Sequence, residues 1–135
     1  MSAVTKFFFR SPYPSQTTWS LLRWWEGRRL TYNAAVGAAG LFSLAIVALV
    51  SALPPTPAGF GVPLGAVLIY GILANLFYSF GPLADILVHR WWGRNYSAVG
   101  PALFRYGFVF AVGVSLLPIP LALIGWSARL LALLF

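Results

Sequence analysis

No charged side chain occurs from residue 30 to residue 84. An ionised group is costly in hydrocarbon, so a long uncharged and apolar tract marks chain that lies within a bilayer. One crossing takes roughly 20 residues, which makes this tract too long for one span and suited to two. The chain must therefore reverse inside it. The segment Pro54, Pro55, Thr56, Pro57, Ala58, Gly59, Phe60 and Gly61 supplies the turn, because prolines and glycines at this density cannot continue a helix.

Composition points the same way. Of 135 residues, 60% are hydrophobic and 8% charged, against roughly 25% charged in a soluble domain. The expected fold is an all-α membrane protein with about three transmembrane helices preceded by a short interfacial helix. Residues 1–32 form a cytoplasmic tail and an amphipathic helix capped by Ser15 or Thr17, with Trp19, Leu22 and Trp25 on its apolar side. The transmembrane domain covers residues 33–124, with spans at 33–53, 62–88 and 101–124. Gly81 and Pro82 predict a kink late in span two. Pro101 suits the first turn of span three, and Pro118 and Pro120 loosen its end. Residues 125–135, with Trp126 and Arg129, read as an interfacial tail or a continuation of the last helix. The apolar run of Phe7, Phe8 and Phe9 is too short for a signal-peptide core, so the N-terminus is expected to be retained.

The formal net charge is +7, and its placement sets orientation. Lys6, Arg10, Arg23, Arg28 and Arg29 precede span one, Arg90 and Arg94 lie between spans two and three, and Arg129 alone follows span three. The positive-inside rule then puts the N-terminus in the cytoplasm and the C-terminus outside. Arg23, Trp24, Trp25, Arg28 and Arg29, and again Arg90, Trp91, Trp92 and Arg94, read as interface anchors against anionic lipid. Basic residues interleaved with tryptophan at the ends of apolar runs argue against nucleic acid as a partner.

These flanks echo one another. Arg23-Trp24-Trp25-Glu26-Gly27-Arg28 and Arg90-Trp91-Trp92-Gly93-Arg94 are each followed by a tyrosine, Tyr32 or Tyr96, and then by Ala-Val-Gly. Two cytoplasmic interfaces that need the same anchors account for this, and so does a degenerate duplication. The first segment through Asn33, together with Asn75-Leu76-Phe77-Tyr78 and Gly100-Pro101-Ala102-Leu103-Phe104, resembles a family of small bacterial multi-span membrane proteins. That resemblance implies a membrane fold and brings no activity or site residues with it.

Groups able to carry chemistry are few. There is no cysteine, which excludes disulfides, thiolate metal sites and a lipoprotein anchor. His89 is the only histidine, and Glu26 and Asp85 are the only acids, so neither a multi-histidine zinc site nor a carboxylate dyad is expected. Ser43, Ser79 and Ser115 lack a base, and no catalytic residue is assigned. Asp85 and His89 share a helical face, and Arg105 lies one turn into the next span. Two readings follow: an Asp85–Arg105 ion pair at the interface, or a proton or ion site. His89 could also serve as an axial ligand to a porphyrin-type pigment.

Small residues recur at four-residue spacing: Ala35, Ala39 and Ser43; Gly71, Asn75 and Ser79; Gly107, Ala111 and Ser115. Such stripes let helices approach closely, within this chain or against a partner. Aromatic side chains crowd spans two and three, facing lipid or a flat ligand such as a quinone, carotenoid or chlorin, although no cofactor is required. The functional expectation is a non-catalytic accessory subunit packed against other membrane subunits and lipids in a larger complex. A bioenergetic assembly, such as a photosynthetic reaction centre with its antenna, is the expected host. The alternative is a small self-associating transporter or channel using Asp85, Asn75 and Arg105.

Overall fold

Thr17 starts the first long helix. Its hydroxyl accepts the Ser20 backbone N–H at 3.2 Å, satisfying one of the amides that a helix start leaves open. The computed structural model describes residues 2–10, 17–55, 59, 61, 64–92 and 99–134. They form five helices in chain order: α1 (Ala3–Phe9), α2 (Thr18–Ala52), α3 (Leu64–Trp92), α4 (Val99–Leu116) and α5 (Pro118–Leu131). Among the described residues there is no strand. Three helical stretches, Thr18–Ala52, Leu64–Trp92 and Val99–Leu131, are long and apolar enough to cross a membrane. The chain is thus an all-α membrane protein with three candidate spans.

α2 runs unbroken for 35 residues, about 52 Å at ~1.5 Å per residue and well beyond a bilayer core of about 30 Å. The sequence suggests an interfacial helix and a separate span over this stretch; the structure joins them. Nothing between Thr18 and Ala52 breaks a helix, and Trp25 and Tyr32 on its N-terminal part are buried against α3 and α4. α2 stops where Leu53, an extended residue, meets Pro54, whose ring disfavours helical backbone at the position before it.

α3 continues through the buried Pro82 to Trp92, four residues past the expected end. α4 and α5 are separated at Leu117 alone. Pro118 has no N–H to give the Val114 carbonyl, which instead accepts from Leu117 N–H at 3.2 Å in a tighter turn. Past residue 124 the chain takes the second of the two expected forms, a continuation of the last helix, and α5 carries it to Leu131. There it is tied to the end of α2, with Trp126 Nε1 donating to the Pro54 carbonyl (2.9 Å) and Arg129 Nη2 to the Val50 carbonyl (3.3 Å).

The best-packed core sits at the opposite end of the bundle. Trp25, Tyr32 and Val36 of α2 meet Tyr78 of α3 and Phe104 of α4, all nearly inaccessible, with Phe7 and Phe8 of α1 packed on them. The sequence suggests only a tail ahead of the cap at Ser15 or Thr17. Residues 2–10 instead form a helix that adds two rings to the core, because Ser2 caps it through Thr5 N–H (3.2 Å) and Arg28 grips its end. Away from this cluster the outward faces are apolar, with Leu41, Phe42, Ile69, Ile72 and Phe77 exposed. Contiguous apolar surface of that extent suits lipid rather than water.

Candidate functional site

Gly81, Asp85 and His89 recur at four-residue spacing and so line one face of α3. The Trp25 indole of α2 lies across the first of them. A Cβ on Gly81 would stand 2.5 Å from the indole ring, so the absence of a side chain is what lets the ring seat there. From that seat the ring aims its Nε1–H at Asp85, donating to Oδ2 at 2.9 Å. Gly100, at the start of α4, closes the third side: a Cβ there would fall 2.5 Å from Asp85 Oδ2.

Asp85 is consequently 0% exposed at the junction of three helices. His89 Nδ1 lies 2.8 Å from the Asp85 carbonyl oxygen and 3.2 Å from its Oδ1. A carbonyl only accepts, so Nδ1 carries a proton and donates it there. Oδ1 lies beside that nitrogen without a well-aligned hydrogen bond, and both Oδ1 and His89 Nε2 are buried without a hydrogen-bond partner.

The expected Asp85–Arg105 ion pair does not form. Asp85 turns inward to Trp25 and His89, while the Arg105 guanidinium lies over the Phe9 ring at 4.2 Å to the centroid. The reason is α1, which places an aromatic ring beside Arg105, and the bulk of Trp25, which fills the space around Asp85. His89 as a pigment ligand fares no better: its side chain is 9% exposed and Nε2 offers no open surface for a macrocycle to approach.

The expected anchors divide. Trp25 is core, not interface, since Gly81 opens a seat for it. Trp24 is half-buried and Arg23 exposed. Arg29 pairs with Glu26 at 2.8 Å on the surface. Arg28 donates to the Phe7 carbonyl from Nε (3.1 Å) and Nη2 (2.7 Å) and to the Trp24 carbonyl from Nη1 (3.1 Å), tying α1 to α2. Arg90, Trp91 and Trp92 are exposed, and Arg94 lies outside the described residues. The two echoing segments are therefore not equivalent in space, since one tryptophan pair faces the core and the other faces out.

The stripes also divide. In span one Ala35 and Ala39 are half-buried and Ser43 fully buried, so this stripe meets the chain's own helices. In span two Gly71 and Ser79 are exposed, while Asn75 accepts from Asn33 Nδ2 across α2 and α3 at 3.2 Å. In span three Ser115 is buried and hydrogen-bonded to Tyr70, Ala111 is half-buried and Gly107 is exposed. In spans two and three the polar members also bond the carbonyl four residues back, Ser79 to Asn75 (2.9 Å), Asn75 to Gly71 (3.1 Å) and Ser115 to Ala111 (2.7 Å), whereas Ser43 Oγ is buried without a partner.

Between α3 and α4 runs a lateral apolar groove of about 590 Å³. Tyr32 and Tyr78 line it from within, Phe77 and Phe110 stand exposed at its margins, and Gly107 opens its α4 wall. Among the described residues no group of three His, Cys, Asp or Glu side chains could hold a metal ion. Comparison with protein-family models, with curated proteins and with solved structures finds no match.

Proposed function

We propose that this protein is a non-catalytic accessory subunit that packs against other membrane-protein helices in a larger complex of the bacterial inner membrane. The observation that supports it most is the contrast between interior and exterior. The seam shared by the three spans is closed by Trp25, Tyr32, Tyr78 and Phe104, while the α3–α4 face presents an aromatic-edged groove to the surroundings. A closed seam offers a solute no path through one chain. A groove opened by small residues admits a neighbouring helix or a flat hydrophobic ligand. Bioenergetic assemblies, a photosynthetic reaction centre with its antenna first among them, are the hosts to test.

The test is native mass after gentle solubilisation, with the copurifying proteins identified. A large complex of fixed stoichiometry is expected. A lone chain or a small homo-oligomer that moves a solute in liposomes, with flux lost in Asp85→Asn, would overturn the reading in favour of a transporter. Gly107→Leu sharpens the test, because a Cβ there meets nothing of this chain within 4 Å and the added side chain enters the groove. The variant is expected to fold as the parent does yet to lose most of its copurification with the host.

Orientation is testable separately. The basic residues of the α1–α2 start and of the α3 end favour a cytoplasmic N-terminus and an external C-terminus. Reporter fusions at Met1 and at Phe135 are expected on opposite sides of the membrane. Both ends on one side would require an even number of crossings.

A further inference from the structure

We propose that Asp85 and His89 together form a proton-binding site, built into the junction of α2, α3 and α4 at the basic end of the bundle. Three observations carry this. Asp85 is 0% exposed and the His89 side chain is 9% exposed. The pair lies within 3.2 Å, with one carboxylate oxygen and one ring nitrogen left without hydrogen-bond partners. The surrounding contacts, Trp25 Nε1 and the Gly100 backbone, cannot titrate or supply a compensating charge.

Charge counting then fixes what the site holds. With no exchangeable proton the pair is a carboxylate and a neutral imidazole, net −1, with the carboxylate at 0% exposure. One proton taken from water makes it neutral, either as carboxylate and imidazolium or as carboxylic acid and imidazole. A second proton makes it +1. Only the singly protonated state avoids a net buried charge, so the pair binds one proton as a unit and its titration belongs to both residues.

No other charged group described on the adjoining elements pairs with Asp85 or His89, and Arg23 of α2 is exposed over the Trp19 ring. On α2, Glu26 and Arg29 pair with each other and Arg28 holds the Phe7 and Trp24 carbonyls. On α4, Arg105 covers Phe9, and on α3, Arg90 is exposed beyond His89. Because Trp25 hydrogen-bonds Asp85 directly, its indole reports the occupancy, and because Gly100 abuts the carboxylate, a change in charge acts on the α3–α4 contact. This site is independent of any host complex.

The experiment is indole ¹⁵N–¹H NMR of the full chain in lipid nanodiscs across pH, with the Trp25 resonance assigned through Trp25→Phe. In the parent chain this resonance is expected to titrate while the other indoles stay in place. Asp85→Asn should flatten it. His89→Asn, which keeps a donor near Nδ1 and removes the second titratable partner, should move its midpoint. A parent resonance that does not titrate, an Asp85→Asn chain that titrates like the parent, or an unmoved midpoint in His89→Asn would each overturn the proposal. Should Asp85→Asn fail to fold, a Glu26→Gln chain leaves Asp85 as the one side-chain carboxyl. Infrared difference spectra of that chain should then show a band of the Asp85 carboxyl or the His89 imidazole at the pH of the indole shift, and its absence would overturn the proposal.

Discussion

Replacing Trp25 by alanine is expected to destabilise the folded chain by about 3–5 kcal/mol, the usual cost of emptying a large buried aromatic site. The residue earns that rank through three separate roles. Its ring is 2% exposed and packs edge-to-face on Trp24, Tyr78 and Phe104 at centroid distances of 5.4, 5.6 and 6.0 Å. Its Nε1–H is the hydrogen bond that a side chain from another helix gives Asp85, so removing it leaves Oδ2 buried and unpaired. Its ring also spaces α2 from α3 at Gly81. Trp25→Phe keeps most of the ring and loses the donor, so a smaller loss of about 1–3 kcal/mol is expected. Gly81→Val tests the same contact from the other side, since its Cβ would fall within 2.5 Å of the indole, and overpacking of that kind costs about 1–3 kcal/mol. Unfolding from mixed micelles, followed by fluorescence of the remaining indoles, measures all three. A Trp25→Ala chain as stable as the parent would show that the junction is not what holds the helices together.

Much of the fold is legible in the sequence because the bilayer imposes its terms locally. An uncharged tract, a proline-rich reversal and charged flanks are features of neighbouring residues, and they determine three long helices whatever packs on what. The joining of the interfacial helix to span one is not local in that sense. It depends on Trp25 finding a seat on Gly81, 56 residues away, and pattern alone cannot distinguish an aromatic that anchors at an interface from one that a glycine admits to a core. α1 was hidden for the same reason. Seven residues with Phe7, Phe8 and Phe9 are too short to suggest a stable helix, and what holds them is a guanidinium donated from α2.

The candidate site was half visible. The four-residue spacing of Asp85 and His89 put them on one face, but the choice of partner went to proximity in sequence order, which favoured Arg105. Burial reverses that preference. A guanidinium at the rim keeps its hydration and finds the Phe9 ring, whereas an acid at 0% exposure takes whichever donor reaches it without bringing water, and an indole N–H does so. The signal that would have found it is the pair of glycines, Gly81 four residues before Asp85 and Gly100 at the head of the next span, each marking a point where something approaches the backbone closely.

Arg28→Ala is expected to release α1 from the bundle and to speed tryptic cleavage after Lys6 and Arg10 by about tenfold or more. The Arg28 guanidinium gives two hydrogen bonds to the Phe7 carbonyl and one to that of Trp24, and it lies 3.7 Å from the Trp24 ring centroid and 4.8 Å from that of Phe7. Charge-assisted bonds of this type contribute about 1.5–3 kcal/mol each when buried, and Arg28 is only half-buried, so a combined loss near 2 kcal/mol is a conservative expectation once solvent screening is allowed for. A factor of ten in the released population needs about 1.4 kcal/mol. Arg28→Lys keeps the charge but not the planar fork that reaches two carbonyls while stacking on a ring, so it should resemble the alanine variant rather than the parent. Trp24 contributes separately, donating from Nε1 to the Arg10 carbonyl at 3.0 Å, and Trp24→Phe should add a smaller increase. The span helices do not depend on this clamp, and their unfolding midpoint should move far less than in Trp25→Ala. If Arg28→Lys is cleaved as slowly as the parent, α1 is held by the packing of Phe7 and Phe8 on Phe104 and not by the guanidinium.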